Sequence, residues 1–466
     1  MNDPISPSIE NATSSDRTVH VVSLGCPKNL VDTQLMMGQL VQGGFQPTAD
    51  ASSADVLLVN TCAFIESSKT ESVDAILELA EVKGRNPNAR LVVAGCLSQR
   101  HAPDLRESIP EVDYFIGTGE YQKLGELLQL PAVNAAQSPA ALGIRKGRPA
   151  YIADHLHPRY VPDASFMSYL KVAEGCSQGC AFCIIPKLRG VQRSRTIEDL
   201  MREARALVGS GVKELNLVAQ DLTHYGEDLG DSDMLAKLVR SLGDVEGLEW
   251  VRLMYAYPHN FTDNLIDAIA STDNCVPYVD MPLQHASDRV LGRMNRRTSR
   301  KEMETLLDKM RARIDGLVLR TTLLVGHPGE SEADFEELAD FVTSQRFHRV
   351  GCFAFSSEEG TASARMPDQL PTAVKRYRAN RIMELQRPIS AAHLSGLVGQ
   401  TLDVLVEGLS EETDLLLQGR YYGQAPEIDG VLYINDAPDD IGRGQMRRVE
   451  ITESHAYDLV GHVVAD

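Results

Sequence analysis

From Ser168 onward the chain alternates strand-like and helix-like runs six times, and such an alternation has few solutions other than a parallel sheet clad in helices. The apolar strand-like runs fall near residues 169–173, 214–219, 250–255, 277–281, 317–325 and 349–355. Helix-period runs fall near 197–208, 234–242, 263–270, 301–311 and 333–344, with a last one near 372–394. Six strands are too few for a closed eight-fold barrel. The expected form is an open (β/α)6 barrel, whose open side has room for a large, even macromolecular, substrate. Chemistry in such sheets gathers at the C-terminal ends of the strands.

The first of these strands leads straight into a stretch that carries Cys176, Cys180 and Cys183 as C-x3-C-x2-C. Three thiolates at this spacing can hold three corners of a cubane 4Fe–4S cluster. No fourth cysteine follows nearby, so one iron stays open to bind something else. A structural zinc site is the bland alternative. Those sites close four ligands, commonly from paired C-x2-C knuckles, and His155 and His157 are poorly placed to supply the fourth.

Three earlier apolar runs each end at a cysteine: 18–25 at Cys26, 55–61 at Cys62, and 90–95 at Cys96. Their continuous apolar character is that of strands buried on both faces. Helix-like segments near 31–42 and 66–82 separate them, giving a doubly wound βαβαβ unit. Parallel strands end at one edge, so this topology gathers sulfurs that lie 36 and 34 residues apart. The inference is a second three-thiolate cluster with one open iron; the alternative is three buried structural cysteines. No Gly-x-Gly-x-x-Gly follows the first strand, which weakens a dinucleotide site. Cys275 and Cys352 lack spaced companions and read as core residues, as does Trp250.

The remaining segments divide the chain as 1–16, a polar disordered tail; 17–130, the first cysteine domain; 131–164, a Pro- and Ala-rich linker holding Arg145, Lys146, His155 and His157; 165–390, the barrel; and 391–466. The last of these has five short alternating runs, the pattern of a small all-β OB-like barrel. It carries 14 acidic residues against 4 basic ones, which makes RNA contact through it unfavourable and a basic protein the better partner. The whole chain, at 466 residues, has a net charge of −19, and no run of eighteen apolar residues suggests a membrane span. Eight cysteines without an export signal point to the cytoplasm and to metal or redox chemistry. Loops after the barrel strands should contact a cofactor: Gln220 and Gln284 by hydrogen bonds, and Arg320 by reaching a carboxylate if it points inward. For each of these, a turn or cap role is the competing reading.

The C-x3-C-x2-C stretch resembles the signature of radical S-adenosylmethionine (SAM) enzymes, and all three segments together resemble the methylthiotransferases over roughly residues 17–466. The motifs that carry this are Ser23-Leu-Gly-Cys-Pro-Lys-Asn29, Asn60-Thr-Cys-Ala-Phe-Ile65, Ala94-Gly-Cys96, Tyr257-Pro-His259 and Met281-Pro-Leu-Gln-His-Ala-Ser287. They look closest to the branch that methylthiolates the β-carbon of an aspartate in small-subunit ribosomal protein number twelve. The resemblance implies a cluster domain, a radical-SAM barrel and a C-terminal TRAM domain. It implies two 4Fe–4S clusters, one on Cys26, Cys62 and Cys96 and the radical-generating one on Cys176, Cys180 and Cys183. It further implies two SAM molecules, one as methyl donor and one as source of a 5′-deoxyadenosyl radical, and an electron donor of flavodoxin or ferredoxin type. The transfer-RNA branch is the alternative, but its Gly-Cys-Gln-Met-Asn pattern is interrupted here by Pro27 and Lys28. A third reading is an iron–sulfur carrier or scaffold without catalysis, which gains nothing from open iron sites. His327 and Leu222 depart from the Phe and Thr that the family leads one to expect.

Overall fold

Runs of Val and Leu too apolar to face water on either side build the centre of the first sheet. In the computed structural model these are β1 (Thr18–Ser23), β3 (Val56–Thr61) and β4 (Arg90–Gly95), joined by the short strands β2 (Gln46–Pro47), β5 (Tyr114–Ile116) and β6 (Leu142–Gly143). All pair parallel, in the order β2-β1-β3-β4-β5-β6. Helices α1 (Pro27–Gln42), α2 (Glu66–Arg85), α3 (Cys96–Ser108) and α4 (Leu124–Gln129) complete the winding. Met36, Leu40, Leu58, Val92, Tyr114 and Ile116 are among its buried core. The strand order reverses between β1 and β3, and in doubly wound folds ligands bind outside the strand C-termini at such a switch point. Helix α1 begins at Pro27, four residues before the expected Val31, because proline suits the first helical position.

The structure describes residues 17–129, 142–143, 149–162, 165–410, 412–413, 415–436, 438 and 440–464. The expected tail 1–16, and Arg145 and Lys146 of the expected linker, lie outside them. The chain divides into two units, Met1–Val161 with Lys187–Gly190, and Pro162–Pro186 with Val191–Asp466. His157 in the first unit places Nδ1 2.8 Å from Asp154 Oδ1. No described helix is long and apolar enough to cross a membrane.

In the second unit β7 (Met167–Lys171) is followed by the two-residue strands β8 (Ala173–Glu174) and β9 (Arg193–Ser194), which pair antiparallel. A single helical turn, α5 (Ile185–Leu188), lies between those two. The alternation then runs α6 (Ile197–Gly209), β10 (Glu214–Val218), α7 (Met234–Gly243), β11 (Trp250–Leu253), α8 (Asp263–Ser271), β12 (Cys275–Asp280), α9 (Asp288–Arg293), α10 (Arg300–Arg313), β13 (Val318–Val325), α11 (Glu332–Gln345), β14 (Arg349–Ala354) and α12 (Thr372–Ser395). The six main strands form a parallel sheet in the order β14-β13-β12-β11-β10-β7, with β7 and β14 as its two edges: the open (β/α)6 barrel. Side chains cap α6, α8, α9, α10 and α11, with full capping boxes at Ser299/Glu302 and Ser331/Asp334. Cys275 and Trp250 are buried as expected. Cys352 is only half-buried, on the edge strand β14.

The last five strands, β15 (Thr401–Leu409), β16 (Leu417–Tyr421), β17 (Leu432–Asn435), β18 (Met446–Ser454) and β19 (Leu459–Val463), close into a small barrel around Val404, Val406, Leu432, Val449 and Ile451. It is tied to the open barrel by buried charges. Glu214 accepts from Arg252 at 2.9 Å and from Arg420 at 2.7 Å, and Tyr278 donates to Asp429 at 2.7 Å.

Candidate metal centres and cofactor site

In the first unit Cys26, Cys62 and Cys96 follow β1, β3 and β4, and so meet at the switch-point edge. Cys26 is the N-cap of α1 and Cys96 the first residue of α3. Glycines let the strand ends approach. A Cβ on Gly25 would lie 2.8 Å from Cys62 Cβ, and one on Gly95 would lie 2.4 Å from Asn60 Oδ1. Gly95 also holds φ 96° and ψ −155°, which only glycine adopts readily. Polar residues beneath the edge lock it: Asn60 Nδ2 donates to Asn29 O at 2.8 Å and to Thr33 Oγ1 at 2.9 Å. Ser72 Oγ accepts from Cys62 N and donates to Cys62 O. Burial pushes the Cys96 thiol up to about 12, against the pull of Arg189, and burial likewise raises Cys62. A coordinated metal would hold such thiols as thiolates.

In the second unit Cys176, Cys180 and Cys183 lie on the loop after β8, at the lip of the barrel's first strand. Burial pushes Cys176 and Cys183 up to about 12. The loop is pinned from several sides. Gln178 Nε2 donates to Asp221 Oδ2 at 2.7 Å, Ala181 N donates to Met294 O at 2.9 Å, and Asn295 Nδ2 donates to Gly179 O at 2.9 Å. Asp221 also accepts from Thr223 Oγ1. Burial raises its pKa, against the pull of those hydrogen bonds.

Gln220 directs its amide N–H to Glu174 Oε1 at 2.8 Å, and its own Oε1 is buried without a hydrogen-bond partner. Gln284 adopts φ +73° and bridges β13 through Thr322 O and Leu324 N. Arg320 donates to Asp280 Oδ1 at 2.8 Å and lies 3.6 Å from Asp429 Oδ1, so carboxylates of the chain already engage its fork. Sequence reasoning missed Arg296. Its guanidinium stacks 3.9 Å over the Tyr257 ring, its Nη1 is 3.9 Å from Cys180 Sγ, and its buried Nε has no hydrogen-bond partner. Nothing local marks it among the arginines of 293–300; only the fold brings it to the cysteines.

Family departures are local packing. Leu222 is fully buried. His327 sits edge-on to Phe355 at 5.4 Å and its Nε2 is 2.8 Å from Ser363 Oγ. Burial lowers its pKa to about 4, so it fills an aromatic slot as a neutral ring.

All six cysteines are free thiols, and the donor set of each triplet suits iron–sulfur ligation. Among the described residues no three His, Cys, Asp or Glu side chains gather about a single ion-sized point. A cubane, with each thiolate on its own iron, needs a wider spread.

An open α/β barrel with this array at its first strand defines a radical SAM enzyme. Residues 170–342 match the radical SAM superfamily, 18–117 match the uncharacterized protein family UPF0004, and 398–464 match the TRAM domain. The chain is 50% identical to the ribosomal protein uS12 methylthiotransferase RimO of Anaeromyxobacter sp. strain K, over 96% of this chain and 93% of that one. It is 44% identical to the RimO of Bdellovibrio bacteriovorus, over 98% of this chain and all of the relative. Among solved structures, the radical SAM methyltransferase TsrM from Kitasatospora setae superposes with a TM-score of 0.53 at 15% identity, over 73% of this chain and 75% of that one. That likeness is one of fold. The chain belongs to the RimO family of radical SAM methylthiotransferases, with an iron–sulfur cluster and SAM as its cofactors.

Proposed function

We propose that the chain adds a methylthio group to the β-carbon of an aspartate in ribosomal protein uS12, using a second 4Fe–4S cluster held by Cys26, Cys62 and Cys96. The observation that carries this is identity of 43–50% along nearly the whole chain to proteins named for uS12 methylthiotransfer. In this reading residues 17–130 form the auxiliary-cluster domain, 165–390 the radical SAM core and 391–466 the TRAM domain. When bound, the two clusters and two molecules of SAM supply a sulfur site, a methyl group and a 5′-deoxyadenosyl radical able to take hydrogen from an unactivated carbon.

The protein's residues bind, orient and shield. Cys176, Cys180 and Cys183 ligate the radical-generating cluster on a loop that Gln178 and Asp221 keep in register. Gln220, with its nitrogen held by Glu174, presents a buried carbonyl oxygen to a hydroxyl or amino group of SAM. Gln284 is aimed by a backbone conformation that costs about 1–3 kcal/mol outside glycine. Arg320 can meet the SAM carboxylate only by sharing its guanidinium with Asp280, which makes Arg296 the better-placed cation.

The net charge of −19 favours a basic protein substrate over RNA phosphates. A cytoplasmic setting keeps the thiols reduced, and a flavodoxin- or ferredoxin-type donor supplies the electrons. The test is anaerobic reconstitution with iron and sulfide, turnover with SAM and a reductant, and mass spectrometry of uS12. A methylthio mass gain on one aspartate, with 5′-deoxyadenosine released, is the expected result. Modified adenosine in transfer RNA with unmodified uS12 would move the assignment to the RNA branch, and absence of SAM binding would reduce the chain to a carrier.

A further inference from the structure

Arg189 and Arg252 are the largest side chains among the described residues buried to 1% exposure or less, and Arg189 belongs to the first unit although it follows Cys183 by only six residues. Its segment, Lys187–Gly190, is fixed there by Thr118 Oγ1 donating to Leu188 O at 2.5 Å. The guanidinium fork is divided among partners. Nη1 donates to Asp32 Oδ2 at 2.8 Å and Nη2 to Asn29 Oδ1 at 2.8 Å. Asp32 is itself fully buried on α1. Asn29 in turn donates from its backbone N to Cys26 O at 2.8 Å and from Nδ2 to Thr61 O at 3.1 Å, the residue before Cys62, so the fork sits against the cysteine edge, and its charge opposes the effect of burial on the Cys96 thiol. A buried ion pair seldom stabilises more than a hydrophobic filling of the same space, so its placement against a cysteine calls for another reason.

We propose that Arg189, aimed by Asp32 and Asn29, is a positioning residue that donates a hydrogen bond to the Cys96 sulfur and thereby sets the reduction potential of the auxiliary cluster. This rests on the assignment of that cluster to Cys26, Cys62 and Cys96. Hydrogen bonds to cluster sulfurs stabilise the reduced, more negative state and raise the potential. Lysine would keep the charge but not the three-way fork.

The experiment uses the full chain carrying Cys176→Ala, Cys180→Ala and Cys183→Ala, so that only the auxiliary cluster remains. In this background Arg189→Lys and the charge-neutral pair Arg189→Gln with Asp32→Asn are compared by iron and sulfide content and by EPR-monitored redox titration. The background protein should hold about four irons; if it holds none, the auxiliary cluster itself is refuted. Given that cluster, the double variant should load iron and titrate at a more negative potential, with Arg189→Lys shifted less. Full iron content with an unmoved potential overturns the role of Arg189. So does a double variant that cannot load iron beside an Arg189→Lys variant that loads it at the original potential, because the arginine would then be a structural charge only.

Discussion

The two cysteine triplets are assembled by opposite routes. Cys176, Cys180 and Cys183 share one loop of the second unit, and their spacing alone brings the sulfurs together. Cys26, Cys62 and Cys96 come from three strand ends, and only the parallel pairing of β1, β3 and β4 makes them neighbours. The first kind of site tolerates change in the sheet so long as its loop is pinned. The second kind depends on the sheet and on the glycines that let its edges close.

The largest expected effect separates the triplets by output. Cys176→Ala should cut 5′-deoxyadenosine formation on the order of a thousandfold or more, the scale of losing a whole catalytic unit. Cys62→Ala should leave 5′-deoxyadenosine within roughly tenfold of the original while methylthiolated uS12 falls to background. Chromatography of the nucleoside and mass spectrometry of the protein read the two outcomes. Equal loss of both products from Cys62→Ala would break the division of labour.

A smaller effect should distinguish the two scaffolds. Alanine at Gly95 meets Asn60 Oδ1 at 2.4 Å and a backbone conformation closed to it, and should cost about 3 kcal/mol with loss of the first triplet's iron. Alanine at Gly179, between Cys176 and Cys180, has φ +65° but no atom nearer than 3.7 Å, and should cost only about 1–2 kcal/mol with iron retained. Denaturant midpoints and iron content measured on both variants check this. Similar losses at the two glycines would mean that the loop is as rigidly cradled as the strand edge.

The same contrast explains what was legible beforehand. The six βα repeats announce the open barrel because each strand is long enough to show its period, and the local C-x3-C-x2-C announces its metal site. The distributed triplet is legible because each of its strands is an apolar run with cysteine at the end. By contrast β2, β5 and β6 are two or three residues long, too short to carry a period. Lys28 and Asn29 look like a polar loop, yet they form the first turn of α1 and are buried, so the helix begins ahead of its apolar period. Arg189 and Arg296 carry no local mark at all. A buried arginine is recognised by its partners, and Asp32, 157 residues away in sequence, is visible only once the chain is folded.

The smallest effect concerns the support behind the second triplet. His327 Nε2 is 2.8 Å from Ser363 Oγ, and Ser363 N donates to Ala181 O, within the cysteine loop. His327→Phe keeps the ring against Phe355 and removes one hydrogen bond, so stability at pH 8 should fall by no more than about 1 kcal/mol. The pH dependence should change more. Because burial lowers the folded-state pKa from 6.5 to about 4, the folded and unfolded chains are both neutral at this ring above pH 6.5. Between 6.5 and 4 the unfolded chain takes up a proton that the folded one refuses, and stability drains away as the pH falls. The phenylalanine variant should lose that slope, seen as a flatter plot of unfolding midpoint against pH. An unchanged slope would show that His327 titrates alike in the folded and unfolded chains, and that burial does not hold a neutral ring behind the loop of Cys180 and Cys183.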